Sequence, residues 1–165
     1  RVPRENLLGE EGDGFKVAMK ALNHGRVALA AAGIGLAQGA LDYAIDYLKN
    51  RVQFGQPLAQ FQGIQFLLAE RATQIEAARQ LTYYAAREMD RHGKDAVKVC
   101  AMAKLFATDL AMEVAVDAVQ LLGGYGYIKE YPVERMMRDA KILQIVEGTS
   151  QIQKVVIAGQ LIGRG

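Results

Sequence analysis

No proline interrupts the chain between Pro57 and Pro132, and that gap constrains the fold more than any other feature. A proline inside a helix removes a hydrogen bond and clashes with the preceding turn. Its absence, combined with abundant alanine, the best helix former, favours long uninterrupted helices. Apolar residues recur at helical spacing in three stretches. Phe15, Met19, Leu22, Leu29, Leu36, Tyr43 and Tyr47 define a helix from Phe15 to about Arg51. Ile64, Leu67, Leu68, Ile75, Ala78, Leu81 and Ala85 define a second, from about Gln60 to Arg91. Val97, Cys100, Ala107, Ala111, Val114, Ala118 and Leu121 define a third, from about Asp95 to Leu122, and Lys104 falls on that same stripe. A lysine there is expected to snorkel out of the bundle or to pair with a carboxylate.

The joints between these stretches carry their own signals. Gly55 followed by Pro57 stops the first helix, and His92-Gly93 stops the second; His92 reads as a helix-end cation or a solvated residue. Gly123-Gly124-Tyr125-Gly126-Tyr127 breaks the third. Pro132 suits the first turn of a shorter helix, Val133 to about Asp139. A last helix from Thr149 to Ile162 carries Ile152, Val155, Val156 and Ile162. Between Ala28 and Ala40 the side chains are mostly alanine and glycine, so a neighbouring helix is expected to pack closely there. Gly33, Gly35 and Gly39 each weaken the isolated helix by up to about 1 kcal/mol, a deficit that packing must offset. The expected fold is all-α, an up-and-down four-helix bundle with a short extra helix, spanning residues 15–165. Residues 1–14, rich in glycine and turn formers, read as a linker from a domain outside this sequence, and the start without methionine suits a piece of a longer protein.

Composition narrows the function classes. The 165 residues suffice for one domain, and 51% hydrophobic with 23% charged residues is a globular balance. Lys and Arg number 20 against 18 acidic residues, a net charge of +2 with no concentrated basic patch, which argues against nucleic acid. Lys20, Arg26, Asp42 and Asp46 interrupt the longest apolar run, so no membrane span is expected. The single Cys100 reads as a buried structural thiol in a reducing compartment. One cysteine and two histidines, His24 and His92, provide no zinc spacing and no metal site.

The stretch Ile145-Val146-Glu147-Gly148-Thr149-Ser150-Gln151-Ile152-Gln153 places a carboxylate beside a glycine at a helix entrance. Thr149 or Ser150 can cap that helix. Walled by Leu143, Ile145 and Val146, Glu147 would have a raised pKa and could act as a general base; by local pattern alone a capping or solvated residue is the far commoner reading. Gly123-Gly124-Tyr125-Gly126 follows a helix rather than a strand, so it is no dinucleotide fingerprint. It is a helix stop, or a loop whose amides contact an anion. Arg51 near Phe54 and Gly55 is likewise helix-end chemistry, or a guanidinium left for a phosphate.

Ordered along the chain, Leu22-Asn23-His24-Gly25-Arg26, Arg51-Val52-Gln53-Phe54-Gly55-Gln56-Pro57-Leu58, Phe61-Gln62, Gln120-Leu121-Leu122-Gly123-Gly124-Tyr125-Gly126, Tyr131-Pro132-Val133-Glu134-Arg135 and Arg138-Asp139-Ala140-Lys141-Ile142 lead into Glu147-Gly148-Thr149. Together these segments resemble the C-terminal part of the acyl-CoA dehydrogenase family, and Val2-Pro3 to Phe15 resembles the passage into it from the family's middle β-domain.

The resemblance implies a flavoprotein of fatty acid metabolism that desaturates acyl-CoA between Cα and Cβ. Glu147 matches the base that removes the α-proton while a β-hydride passes to FAD N5; its backbone N–H and the flavin's ribityl hydroxyl would hold the thioester oxygen. A minority of relatives carry the base just before the position of Arg26. Gly25 stands there in this chain, so Glu147 is the matching carboxylate. Asn23 and Arg26 match residues lining the acyl-CoA channel, and Gly148 lets the substrate approach. Arg51, Phe54 and Gln62 resemble contacts to the FAD of a neighbouring subunit, with Arg51 on the pyrophosphate. Gln120, Gly123 and Gly124 resemble the loop at the adenosine end, and Thr149 and Gln151 resemble flavin contacts within one subunit. A homodimer or homotetramer is implied, with electron-transferring flavoprotein as electron acceptor and the bacterial cytoplasm or mitochondrial matrix as the compartment. Two other readings stay open: an assembly bundle that is catalytically silent when isolated, and the same domain of an acyl-CoA oxidase that reduces oxygen.

Overall fold

The computed structural model describes residues 1–163, and its architecture follows from where alanine allows helices to touch. Among the described residues six α-helices run in order: α1 (Gly14–Asn50), α2 (Gln62–His92), α3 (Val97–Leu122), the single turn α4 (Gly124–Tyr127), α5 (Val133–Leu143) and α6 (Ser150–Leu161). The fold is the expected all-α bundle. Helix α3 is its axis, packed by α1, α2, α5 and α6. Its buried face is largely Ala101, Ala103, Ala107, Ala111, Ala115 and Ala118, and it meets Ala30, Ala37, Ala40 and Ala44 of α1. Small side chains on both faces let the backbones approach. A Cβ on Gly33 would lie 3.0 Å from the Ala107 carbonyl oxygen.

Several expectations change in detail. Of Gly33, Gly35 and Gly39 on α1, only Gly33 is buried; Gly35 and Gly39 face open space. Phe15 is 75% exposed, because the buried stripe of α1 is its alanine face. On α6 the expected core residues Ile152 and Val155 are exposed, as is Ile162 just past its end, while Ser150 and Gln153 are buried. Helix α5 extends to Leu143 rather than Asp139. Between α1 and α2, Val52–Gln53 pairs antiparallel with Gln56–Pro57. This small hairpin turns on Phe54 and Gly55, whose φ values of 51° and 81° are both left-handed, as a two-residue hairpin turn requires. By length and composition alone α1 is apolar enough to cross a membrane, as a packed core helix also can be. The interrupting charges are too sparse to prevent that, and its apolar face is spent on α3 and α2. Cys100 is buried and unpaired, as expected.

Candidate functional site

Residues 144–149 connect α5 to α6, and α3 holds this connection at both ends, through Gln144 and through Ser150 at the start of α6. Asp109 Oδ1 accepts from Gln144 Nε2 at 2.7 Å and from Ser150 Oγ at 2.8 Å. The Ser150 N–H donates to the Gln144 carbonyl at 3.0 Å, closing the loop on itself. Thr149 supplies the cap of α6, its hydroxyl accepting from the Ile152 N–H at 3.2 Å. Ser150, the alternative cap, is committed to Asp109 instead.

Within this closed loop the backbone turns through two left-handed residues, Glu147 at φ 54° and Gly148 at φ 90°. Glycine tolerates that region freely, whereas glutamate rarely enters it. The surrounding contacts hold it there. Gln153 Nε2 donates to the Glu147 carbonyl at 3.1 Å and to the Gly148 carbonyl at 2.9 Å. Lys104 Nζ donates to the same Gly148 carbonyl at 2.9 Å. A Cβ on Gly148 would stand 2.8 Å from the Gln153 amide nitrogen, so position 148 requires glycine for space as well as for φ.

The Glu147 side chain reaches α1 and lies against Gly25, where an added Cβ would be 2.7 Å from its carboxyl carbon. The expected wall of apolar residues is absent: Ile145 is 49% and Val146 38% exposed, because the loop, tied down through Gln144 and Ser150, turns them outward. The charges that act on Glu147 are cationic. Arg26 and Lys104 are both buried and both attracted to it. Burial pushes the Arg26 guanidinium below its ordinary value, opposed by Cys100 and Glu147. Burial likewise pushes Lys104 down; Asp109 and Glu147 oppose this, and Arg26 adds to it. Arg26 Nη1 donates to Asn23 Oδ1 at 2.8 Å. Glu147, Gly148, Asn23 and Arg26, singled out separately in the sequence, thus gather where α1, α3 and the α5–α6 connection meet.

Lys104 departs from both of its sequence expectations. It neither snorkels nor pairs with a carboxylate; it is fully buried and spends its donor on a carbonyl. Asp109 and Gln153 were missed altogether. A lone charged residue on an otherwise alanine-rich helical face was the available signal for Lys104; Asp109, in line with Glu113 and Asp117 on α3, reads as part of a solvated acidic face. Gln153 gave none, since a glutamine on a terminal helix is ordinarily solvated.

The other predicted residues divide between two further places. Thr149 and Gln151 border a cleft of about 260 Å³ shared with Asp109, Lys141 and Lys154. At the far end of α1, Arg51, Gln120, Gly123 and Gly124 line a cleft of about 490 Å³ with Tyr47, Leu58 and Tyr125. Arg51 stacks over the Tyr125 ring at 5.6 Å and has no carboxylate partner among the described residues. Gly123, at φ 61°, leaves the loop open. Phe54 and Gln62 do not line this cleft; Phe54 is 91% exposed and meets Phe61 edge-on at 6.3 Å. Arg26 on α1 and Arg51 at its C-terminal cap stand 25 residues apart, about 37 Å at 1.5 Å per residue. The two ends of the bundle therefore form separate places on one chain. Among the described residues no cluster of three or more metal-ligating side chains occurs.

Comparison with known proteins places this geometry in a family. The profile described as "Acyl-CoA dehydrogenase, C-terminal domain" matches residues 12–162. An acyl-CoA dehydrogenase of Bacillus subtilis is 55% identical over 162 residues, which is 98% of this chain and 42% of that protein. The solved structure of butyryl-CoA dehydrogenase from Megasphaera elsdenii superimposes with a TM-score of 0.93 at 54% identity, covering 98% of this chain and 42% of that one. A caffeyl-CoA reductase–Etf complex subunit of Acetobacterium woodii is 53% identical over the same share of each chain. The chain thus spans 42% of the length of these relatives.

Proposed function

We infer function from membership: this chain belongs to the acyl-CoA dehydrogenase family and forms its C-terminal helical domain. On that footing we propose that it supplies the base, and part of the cofactor and substrate sites, of an enzyme that desaturates acyl-CoA thioesters between Cα and Cβ. The observation that carries this reading is the Glu147 turn. Its carboxylate lies against Gly25, faces two buried cations, and has its backbone clamped by Lys104 and Gln153.

The chemistry asks for such a residue. The α-proton of a thioester is weakly acidic, so its removal needs a positioned base and hydrogen bonds to the carbonyl oxygen that becomes an enolate. Glu147 accepts the α-proton. Its backbone N–H makes no hydrogen bond among the described residues and is the donor we assign to the thioester oxygen. Gly148 leaves room for the substrate backbone, and Asn23 with Arg26 borders the acyl-CoA channel. Among these, Arg26 Nε is buried without a partner.

The residues present fit FAD. An unpaired guanidinium, Arg51, stands in a cleft beside an open glycine loop, as an anionic phosphate requires. Arg51, Phe54 and Gln62 would hold the cofactor of a neighbouring subunit, with Gln120, Gly123 and Gly124 at its adenosine end and Thr149 and Gln151 on the flavin of their own subunit. The separation of the two ends of α1 supports that division and, with it, a homodimer or homotetramer. When bound, FAD supplies the two-electron acceptor that takes the β-hydride. We assign the onward electrons to electron-transferring flavoprotein, in the bacterial cytoplasm or mitochondrial matrix; the Acetobacterium relative, named for an Etf complex, supports this choice. Residues 1–14, nearly all exposed, are proposed as the linker from the preceding β-domain.

Anaerobic titration of the complete enzyme with acyl-CoAs from butyryl- to palmitoyl-CoA tests this. Bleaching of the flavin by at least one thioester, with reoxidation by electron-transferring flavoprotein, is the expected result. No bleaching by any of them would contradict the reading, and rapid peroxide formation in air would move the enzyme to the oxidases. The isolated chain is expected to bind FAD weakly and turn nothing over.

A further inference from the structure

A buried ammonium that serves a single neutral acceptor needs a reason. Lys104 is 0% exposed, and among the described residues it makes one hydrogen bond, to the Gly148 carbonyl. Removing an ammonium from water costs more than a bond to a neutral carbonyl returns. That carbonyl already has another donor, since Gln153 Nε2 also reaches it at 2.9 Å. A methionine of similar length would avoid the cost and leave no acceptor unsatisfied. Stability therefore does not account for the lysine.

Geometry does. Asp109 closes the ends of the connection through Gln144 and Ser150, but neither contact reaches its middle, where Glu147 and Gly148 occupy left-handed backbone. Two donors fix the middle. Lys104 on α3 and Gln153 on α6 converge on the Gly148 carbonyl, and Gln153 also holds that of Glu147. One donor leaves a peptide plane free to swing about the contact; donors from two helices fix its direction. The Glu147 side chain leaves the backbone at this point to meet Gly25, so a rotation of the Gly148 peptide would carry the carboxyl away from its seat.

We propose that Lys104 is a positioning residue for Glu147: together with Gln153 it locks the Glu147–Gly148 turn so that the carboxylate is held in register for α-proton removal. The inference rests on the assignment of Glu147 as the base. Lys104 touches neither substrate nor flavin in this account and acts through the turn alone. Its charge adds a second effect on the same group, because Lys104 and Arg26 both attract Glu147 while Asp109 draws on Lys104.

The test compares the complete flavoenzyme with its Lys104→Met, Gln153→Met and Glu147→Gln variants, using the straight-chain acyl-CoA that bleaches the wild-type flavin fastest. Stopped-flow bleaching at saturation gives the rate, the spectral change on mixing gives Kd, and a thermal melt gives Tm. Misplacement of a reacting group by about 1 Å costs roughly a hundredfold, so Lys104→Met is expected to slow bleaching by about tenfold to a hundredfold. Its Kd should stay within about threefold of wild type and its Tm should not fall, a split that loss of folding would not produce. Gln153→Met, which removes both amide donors, carries the same expectation should Lys104→Met fold poorly. Wild-type bleaching rates in both variants would overturn the inference while leaving the base assignment intact. Wild-type bleaching by Glu147→Gln would overturn the base assignment and this inference with it.

Discussion

The Glu147 carboxyl and the α-carbon of Gly25 occupy adjoining space: a methyl group on Gly25 would come within 2.7 Å of the carboxyl carbon. Helix α1 thus provides a seat for a side chain that enters from the connection between α5 and α6, and the seat exists because position 25 has no Cβ. Gly33, about two helical turns further along α1, is small for a different reason. Its missing Cβ faces the Ala107 carbonyl of α3 at 3.0 Å.

These two glycines should respond differently to alanine. In Gly25→Ala the obstructing atoms are the end of a flexible, half-buried side chain, so the fold yields easily and gains up to about 1 kcal/mol of helix propensity. Stability is expected to hold while the bleaching rate falls by about tenfold or more. In Gly33→Ala the obstacle is backbone, so α1 and α3 must separate at a cost of about 1–3 kcal/mol. Thermal melts and flavin-reduction rates of the two variants in the complete enzyme check the contrast. Equal effects of both substitutions on both quantities would contradict it.

Thr149→Val should cost about 1 kcal/mol, the usual value of a lost N-cap. The hydroxyl bond to the Ile152 N–H disappears, while Asp109 continues to hold Ser150. Denaturant unfolding of the matched proteins measures this, and a change below a few tenths of a kcal/mol would show that Ser150 had taken over the cap.

Lys104 also predicts a pH dependence. Burial holds its pKa below the ordinary 10.5, so between the folded and unfolded values the unfolded chain binds more protons and stability rises with pH. Below the folded value the native state carries the whole penalty of the buried charge. Cys100 acts oppositely, since burial pushes its thiol above the ordinary 9.0 and its contribution is lost as pH rises through that value. Comparing Lys104→Met with wild type cancels the cysteine. The stability difference should shift toward wild type as pH climbs from neutral toward about 10.5, and a difference flat in pH would contradict the buried charge.

What was legible in the sequence was whatever one helix decides by itself. The proline-free interval marked α2 and α3, the helical spacing of apolar residues marked α1 as well, all to within a few residues, and the stripe of α3 from Cys100 to Ala118 is buried as expected. Helix α6 was misjudged because its apolar residues Ile152, Val155 and Ile162 imply a core face, yet its buried positions are Ser150 and Gln153. There, polar contacts to the Glu147 turn decide the orientation, and hydrophobic spacing carries no information about them. Likewise Phe54 has a left-handed backbone that its residue type does not announce.

The proposed site was legible as a set of candidate residues and not as an arrangement. Glu147, Gly148, Asn23 and Arg26 were identifiable from short motifs, and Gly25 from the absence of a carboxylate. That Lys104 and Gln153 converge on one carbonyl depends on the relative placement of α3 and α6, which no local pattern encodes. The apolar wall expected around Glu147 failed for the same reason. The turn that presents the carboxylate to α1 also sends Ile145 and Val146 outward.

The central claim is that Glu147 removes the α-proton, and the most direct measurement is anaerobic flavin bleaching by acyl-CoA in the complete enzyme carrying Glu147→Gln. The amide keeps the size and hydrogen-bonding reach of the carboxylate but is not a base, and general-base catalysis contributes about 10²–10⁴-fold. The account predicts a flavin that stays oxidised over the time in which wild type bleaches fully, with acyl-CoA still bound. Bleaching at the wild-type rate would contradict it.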